Sequence, residues 1–191
     1  GGWTENTALQ GALDVNPLFF LGIVVAATAR LSGAHINPVV TLTVLITGDI
    51  RPVTALAYLV AQLLGGVLAA ALILLIVPGD NGAMGATLLA SEVGVGSGIM
   101  AEIVFTFVLV FVVYATALDP KGSTALAPFS IGVTVLVINL MGAPLTGASM
   151  NPARSFGPAL VGGQWADHWL YWIGPLIGGL LALLTYWKLY W

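Results

Sequence analysis

The sequence contains no cysteine. A disulfide framework, a thiol nucleophile and a thiolate metal site are therefore excluded. Charge is almost as scarce: of the 191 residues, 7% are Asp, Glu, Lys or Arg, whereas 59% are hydrophobic. A soluble domain of this length needs a far more charged surface, so the composition excludes that class. The net charge of −3 offers no basic surface to nucleic acid. Two histidines in the whole chain, with no cysteine, suggest no metal cluster, and no cofactor is expected. The opening stretch, Gly1 to Asp14, is polar and lacks the basic-then-apolar order of a cleavable signal peptide.

What the chain does have is apolar length. Five blocks read as membrane spans: Pro17–Leu31, which is short, then Pro52–Val77, Ile99–Leu118, Ala125–Ala143 and Trp169–Tyr190. Breaks rich in Gly, Pro and Asp separate them, such as Pro78-Gly79-Asp80-Asn81-Gly82 and Asp119-Pro120-Lys121-Gly122. Trp165, Trp169 and Trp172 mark one end of the last span, and Trp187 and Trp191 the other, as aromatic belts at two interfaces.

Two further apolar pieces are too short to cross. They run from Pro38 to Thr47 and from Pro152 to about Val161. About ten residues of helix reach roughly 15 Å, half the hydrocarbon thickness. Each reads as a re-entrant half-helix, and each opens on a copy of one motif. The first copy is Ser32-Gly33-Ala34-His35-Ile36-Asn37-Pro38-Val39; the second is Thr146-Gly147-Ala148-Ser149-Met150-Asn151-Pro152-Ala153. The Asn is placed to cap the half-helix, and the Pro to occupy its first turn.

The order is span, half-helix, span, then span, span, half-helix, span. An inverted repeat requires one more span before residue 17. The first half-repeat is thus 1–80, the second 97–191, and the expectation is that a first transmembrane helix precedes Gly1. Arg30, Arg51, Lys121 and Lys188 alternate onto one side, which the positive-inside rule makes cytoplasmic, with the C-terminus; Asp14, Asp80, Glu92 and Asp167 fall on the other.

Half-helices entering from opposite faces meet near the midplane with Asn37 and Asn151 against each other. A helix N-terminus presents unpaired N–H groups and roughly half a positive charge. Each Asn can cap with its carbonyl oxygen and turn its NH₂ donors into a pore. A neutral molecule supplies acceptors for those donors, whereas a cation meets two positive dipole ends. Water held by two donors cannot donate back along the file, which interrupts proton hopping. Arg154, three residues past Asn151, either points into the same cavity or snorkels to the surface. Glu102 is either an acceptor for backbone N–H groups of the outer loop or a pore carboxylate. His35 is a loop-bracing or mouth histidine. No nucleophile or metal cluster accompanies Glu102 and His35, so the residues do not suggest an enzyme.

The paired Asn-Pro loops, the Arg after the second loop and the Glu at the start of a span resemble the aquaporins, the major intrinsic protein family. The resemblance covers Pro17 to Trp191. It implies an all-α membrane protein: a right-handed inverted-repeat bundle with two re-entrant half-helices, forming a single channel domain and assembling as a homotetramer. It also implies a constriction made by Arg154, Ala148, a residue on the span ending near Ala143, and one within Pro17 to Phe20. Asn139 fits the third place by spacing, with Leu140 or Ile138 one register away. Ser155, Ala159 and the Tyr171-Trp172 pair resemble water-selective members, which implies a passive water channel of a cell membrane. The alternative is a facilitator of glycerol, ammonia or hydrogen peroxide. One departure stands out: the first motif is Asn37-Pro38-Val39, where the second keeps Ala153, so the loop contact must be repacked.

Overall fold

The computed structural model describes residues 20–77 and 85–190, and among these it is all helical. Helix α1 is Phe20–Ser32. Pro17 to Phe19 of the first expected span, and the polar start before them, lie outside the described residues. Next come α2 (Pro38–Thr47) and α3 (Pro52–Ile76), then α4 (Val95–Val113), which continues into a π-helical turn over Tyr114–Leu118. The last three are α5 (Ala127–Thr146), α6 (Pro152–Gly162) and α7 (Leu170–Tyr190). Helices α3, α4 with its π turn, α5 and α7 are long and apolar enough to cross a membrane; α2 and α6 are not.

Local chemistry sets these ends. Pro38, Pro52 and Pro152 each occupy the first turn of their helices, where a missing N–H costs nothing. Gly48, Gly147 and Gly163 end α2, α5 and α6 in the left-handed conformation. The fourth element starts at Val95 rather than Ile99: the helix takes in Gly96 and Gly98, and Gly98 packs against Leu89, where a Cβ would strike the leucine side chain. Helix α5 runs past Ala143 and carries Pro144 in its last turn, stopping when Gly147 N–H closes on Ala143 O at 3.1 Å.

Packing is closest where side chains are smallest. Helices α4 and α7 share the largest contact, followed by α3 with α6 and α4 with α5. A Cβ on Gly157 would strike the Gly66 carbonyl, and one on Gly66 would strike Ala153 O, so α3 and α6 cross backbone to backbone. A Cβ on Gly178 would strike Ile103 O in the same way. The half-helices are thereby held inside the bundle. Val39 and Ala153 are 1% and 3% exposed, whereas α3 turns Leu56, Leu64, Leu68 and Leu75 outward at 62% or more. An apolar exterior around a buried polar centre is the inverse of a soluble protein, and it fits a chain solvated by lipid.

Candidate functional site

The two motif loops meet, and the match between them extends to their backbone. Gly33, Ala34 and Ile36 have φ of 75°, 49° and 52°; the corresponding Gly147, Ala148 and Met150 have φ of 77°, 46° and 53°. Left-handed backbone costs a non-glycine residue about 1–2 kcal/mol, most at a β-branched residue such as Ile36. The strain has a geometric result. Asn37 Nδ2 donates to Met150 O at 2.8 Å, and Asn151 Nδ2 donates to Ile36 O at 2.9 Å. Each asparagine thus bonds the carbonyl that precedes the other.

The same side chains cap the half-helices. Asn37 Oδ1 accepts from Val39 N at 2.9 Å, and Asn151 Oδ1 accepts from Ala153 N and Arg154 N at 3.0 and 3.3 Å. With the oxygen and one amide hydrogen used, each asparagine keeps a second N–H that no described residue takes. Pro38 and Pro152 are both buried behind this pair.

Glu102 lies under the second loop, fully buried. Its Oε1 accepts from Thr146 Oγ1 at 2.7 Å and from Ser149 N at 2.9 Å, while Oε2 accepts from Met150 N at 2.8 Å. Three donors on one carboxylate offset the cost of burying a charge. They also hold the turn that aims Met150 O at Asn37. Gly174 makes room, since a Cβ there would lie 2.8 Å from Glu102 Cβ.

Val39 meets α7 where that helix has no side chain. Its Cγ1 sits where a Cβ on Gly179 would be. The extra methyl groups are thus absorbed by a glycine on the neighbouring helix.

Arg154 is half-buried one turn along α6, and its Nη1 donates to the carbonyl of Gly85, in the segment before α4. Thr87 anchors that segment: its Oγ1 donates to Ser155 Oγ at 2.8 Å, and Ser155 Oγ lies 2.5 Å from Ser149 Oγ. This buried hydroxyl cluster fastens the segment over the second loop. Thr87 and Gly85 are not among the residues expected from sequence, because they come from a stretch with no helical period and no motif. A buried threonine beside a paired motif has no local signature.

His35 braces the first loop. Its Nδ1 lies 3.2 Å from Thr41 Oγ1, and its ring stands edge-on to Tyr58 with centroids 5.2 Å apart. Ala148 is buried at the second turn. Asn139 bonds back along α5, from Nδ2 to Val135 O at 2.9 Å. Within the described residues the structure therefore joins Asn37, Asn151, Val39, Ala148, Glu102 and Arg154 through the two loops. It gives Asn139 no bond to them. The part of Pro17 to Phe20 before Phe20 lies outside the described residues.

Comparison with known proteins decides the family. The profile described as major intrinsic protein matches residues 5–186. The chain belongs to the major intrinsic protein family. Among its relatives, "Aquaporin TIP4-4" of Zea mays is 47% identical over 187 residues, covering 97% of this chain and 74% of the relative. "Probable aquaporin TIP3-2" of Arabidopsis thaliana is 50% identical over 165 residues, covering 85% of this chain and 61% of the relative. The fold matches the aquaglyceroporin from Plasmodium falciparum with a TM-score of 0.75, at 20% identity, covering 86% of this chain and 76% of that one. Members of the family are membrane channels for small molecules, not enzymes, and this chain is a multi-pass integral membrane protein.

Proposed function

We propose that the protein is a passive water channel that excludes protons and ions. The observation that carries this reading is the reciprocal Asn37–Asn151 lock, which leaves one N–H on each asparagine at the meeting of two helix N-termini. A water there accepts from both asparagines and points its own hydrogens away from the centre on either side. The proton wire is broken at that water, and the paired positive dipole ends oppose any cation.

Four residues support water over larger solutes. Ser155 lies within the hydroxyl cluster with Ser149 and Thr87, 1% exposed, where glycerol-type members carry a carboxylate. Ala159 and the Tyr171-Trp172 pair point the same way. The constriction is assigned to Arg154, Ala148 and Asn139, with His35 on the side of the first loop. A second reading, passage of glycerol, ammonia or hydrogen peroxide, is favoured by the small side chain of Ala148. The distribution of basic residues favours a cytoplasmic side for the first loop and the C-terminus. The leucine face of α3 is suited to pairing in a homotetramer, with one channel domain per subunit made of half-repeats 1–80 and 97–191.

The test is osmotic shrinkage of proteoliposomes holding the full-length protein, followed by light scattering, with glycerol uptake measured on the same vesicles. Fast water flux of low activation energy with slow glycerol uptake is expected. Glycerol uptake as fast as that of water would favour the second reading, and no flux of either would overturn both.

A further inference from the structure

Gln62 is a polar side chain in the middle of α3, a helix otherwise built of apolar and small residues with Thr54 and Tyr58 near its start. A residue of this kind inside a membrane span is costly unless it bonds. Its Nε2 donates to Thr41 Oγ1 at 2.9 Å. Thr41 is fully buried on α2, one turn past Asn37. The same oxygen lies 3.1 Å from Asn37 O and 3.2 Å from His35 Nδ1. One hydroxyl therefore has three polar neighbours: Gln62, the Asn37 carbonyl and His35.

Counting hydrogens orders this cluster. A threonine hydroxyl has one hydrogen to give and two lone pairs to receive. Gln62 N–H takes one lone pair. The Asn37 carbonyl can only accept, so the hydroxyl hydrogen goes to it. The second lone pair is left for His35, and that contact is a hydrogen bond only if Nδ1 carries the proton. If the hydroxyl turned to Nδ1 instead, the Asn37 contact would set two oxygen atoms against each other with no hydrogen between. If the amide of Gln62 were reversed, one hydroxyl hydrogen would face two oxygen acceptors. All three contacts are satisfied in one arrangement.

We propose that Gln62 is a positioning residue for the channel: through Thr41 it holds His35 in the Nδ1–H tautomer, leaving Nε2 as a hydrogen-bond acceptor at the first loop. Nε2 lies beside Gly33, within 3.4 Å of where a Cβ on that residue would stand, and no described residue donates to it. The glycine keeps it uncovered. The site matters for selectivity because the asparagine pair only donates. A permeating molecule would first give a hydrogen bond to His35 and then accept from Asn37 and Asn151. Water and ammonia carry both functions, as do small hydroxylated solutes. A molecule with acceptors alone fails at His35.

The second loop is built on the same plan with different chemistry. Ser155 takes the place of Thr41, Ser149 that of His35, and Thr87 supplies the outside anchor. A serine can rotate its hydroxyl to suit a passing molecule; the anchored imidazole cannot. The fixed acceptor therefore belongs to the first loop alone.

This inference rests on the channel reading for its consequence, but its structural part is measured without transport. Solid-state ¹⁵N spectra of histidine-labelled full-length protein in bilayers report which ring nitrogen is protonated. The chain has two histidines, so a His168→Phe sample leaves the His35 signal alone. Protonation at Nδ1 is expected for His35; protonation at Nε2 would overturn the proposal whatever the flux. Gln62→Leu frees the Thr41 hydroxyl to turn, so a second tautomer signal and a several-fold fall in water permeability are expected. Thr41→Val should do the same, with Thr41→Ser restoring both. A single unchanged tautomer with unchanged permeability in Gln62→Leu would show that Gln62 only packs. A tautomer shift with unchanged permeability would overturn the role in selectivity. Nδ1 protonation in a protein that conducts neither water nor glycerol would instead remove the channel reading.

Discussion

Asn37 and Asn151 each donate a hydrogen bond to the carbonyl that precedes the other, at 2.8 and 2.9 Å. The relationship is symmetric in sequence, backbone angle and partner. It makes the two loops one unit, so neither half-helix can shift without breaking the bond the other makes.

That unit predicts non-additive mutations. Asn37→Ala and Asn151→Ala each remove a helix cap and a cross-loop bond, together about 2 kcal/mol. Once one bond is gone the opposite carbonyl is no longer held, so the double variant should lose less than the sum of the singles. Unfolding in mixed micelles measures the cycle. Simple additivity to within about 0.5 kcal/mol would show that the loops are independent.

Glu102 acts on the same unit from below. Glu102→Gln keeps the shape but replaces one acceptor oxygen by an NH₂ that faces Ser149 N, Met150 N or Thr146 Oγ1. A buried donor left facing a donor costs about 1–3 kcal/mol. The variant should melt several degrees lower by circular dichroism and conduct less water per folded protein. Wild-type stability would mean that the carboxylate is not holding the second loop.

The Val39–Gly179 contact predicts compensation. Gly179→Ala drives a methyl group into Val39 and should cost about 1–3 kcal/mol. Val39→Ala leaves a gap and should cost about 1–2 kcal/mol. The double variant should be more stable than Gly179→Ala alone. If it is less stable, the two side chains do not share the space.

His168 gives a pH dependence. Trp172 Nε1 donates to His168 Nε2 at 3.0 Å, which requires an unprotonated Nε2. Burial lowers the His168 pKa below its ordinary value. A lowered pKa in the folded state means that the stabilisation is complete above the ordinary histidine value and is lost as pH falls through the folded one. Melting temperature should drop between pH 7 and pH 5, and His168→Phe should lessen that drop. An undiminished drop in His168→Phe would assign it to other groups.

The half-helices were legible because three local signals coincide: an Asn cap, a Pro in the first turn and an apolar run too short to cross. The spans followed from apolar length, with ends misplaced by a few residues where glycines lie inside a helix, as at Gly96 and Gly98, or where a proline sits in a last turn, as at Pro144. The π turn at Tyr114–Leu118 left no trace in the pattern, since one extra residue per turn does not change an all-apolar helix. The long-range partners were hidden for a different reason. Thr87, Gly85, Gln62 and Gly179 earn their roles from what lies across the bundle, and a single sequence carries no record of that.

In the proposed channel the asparagine pair passes water while breaking the proton wire. The most direct measurement follows both fluxes in the same proteoliposomes, osmotic shrinkage by light scattering and proton entry by an enclosed pH dye under an imposed gradient. Rapid, low-activation-energy water flux with proton entry no faster than in protein-free vesicles is the predicted result. Proton entry that rises with protein content, or water flux no faster than through lipid, would contradict it.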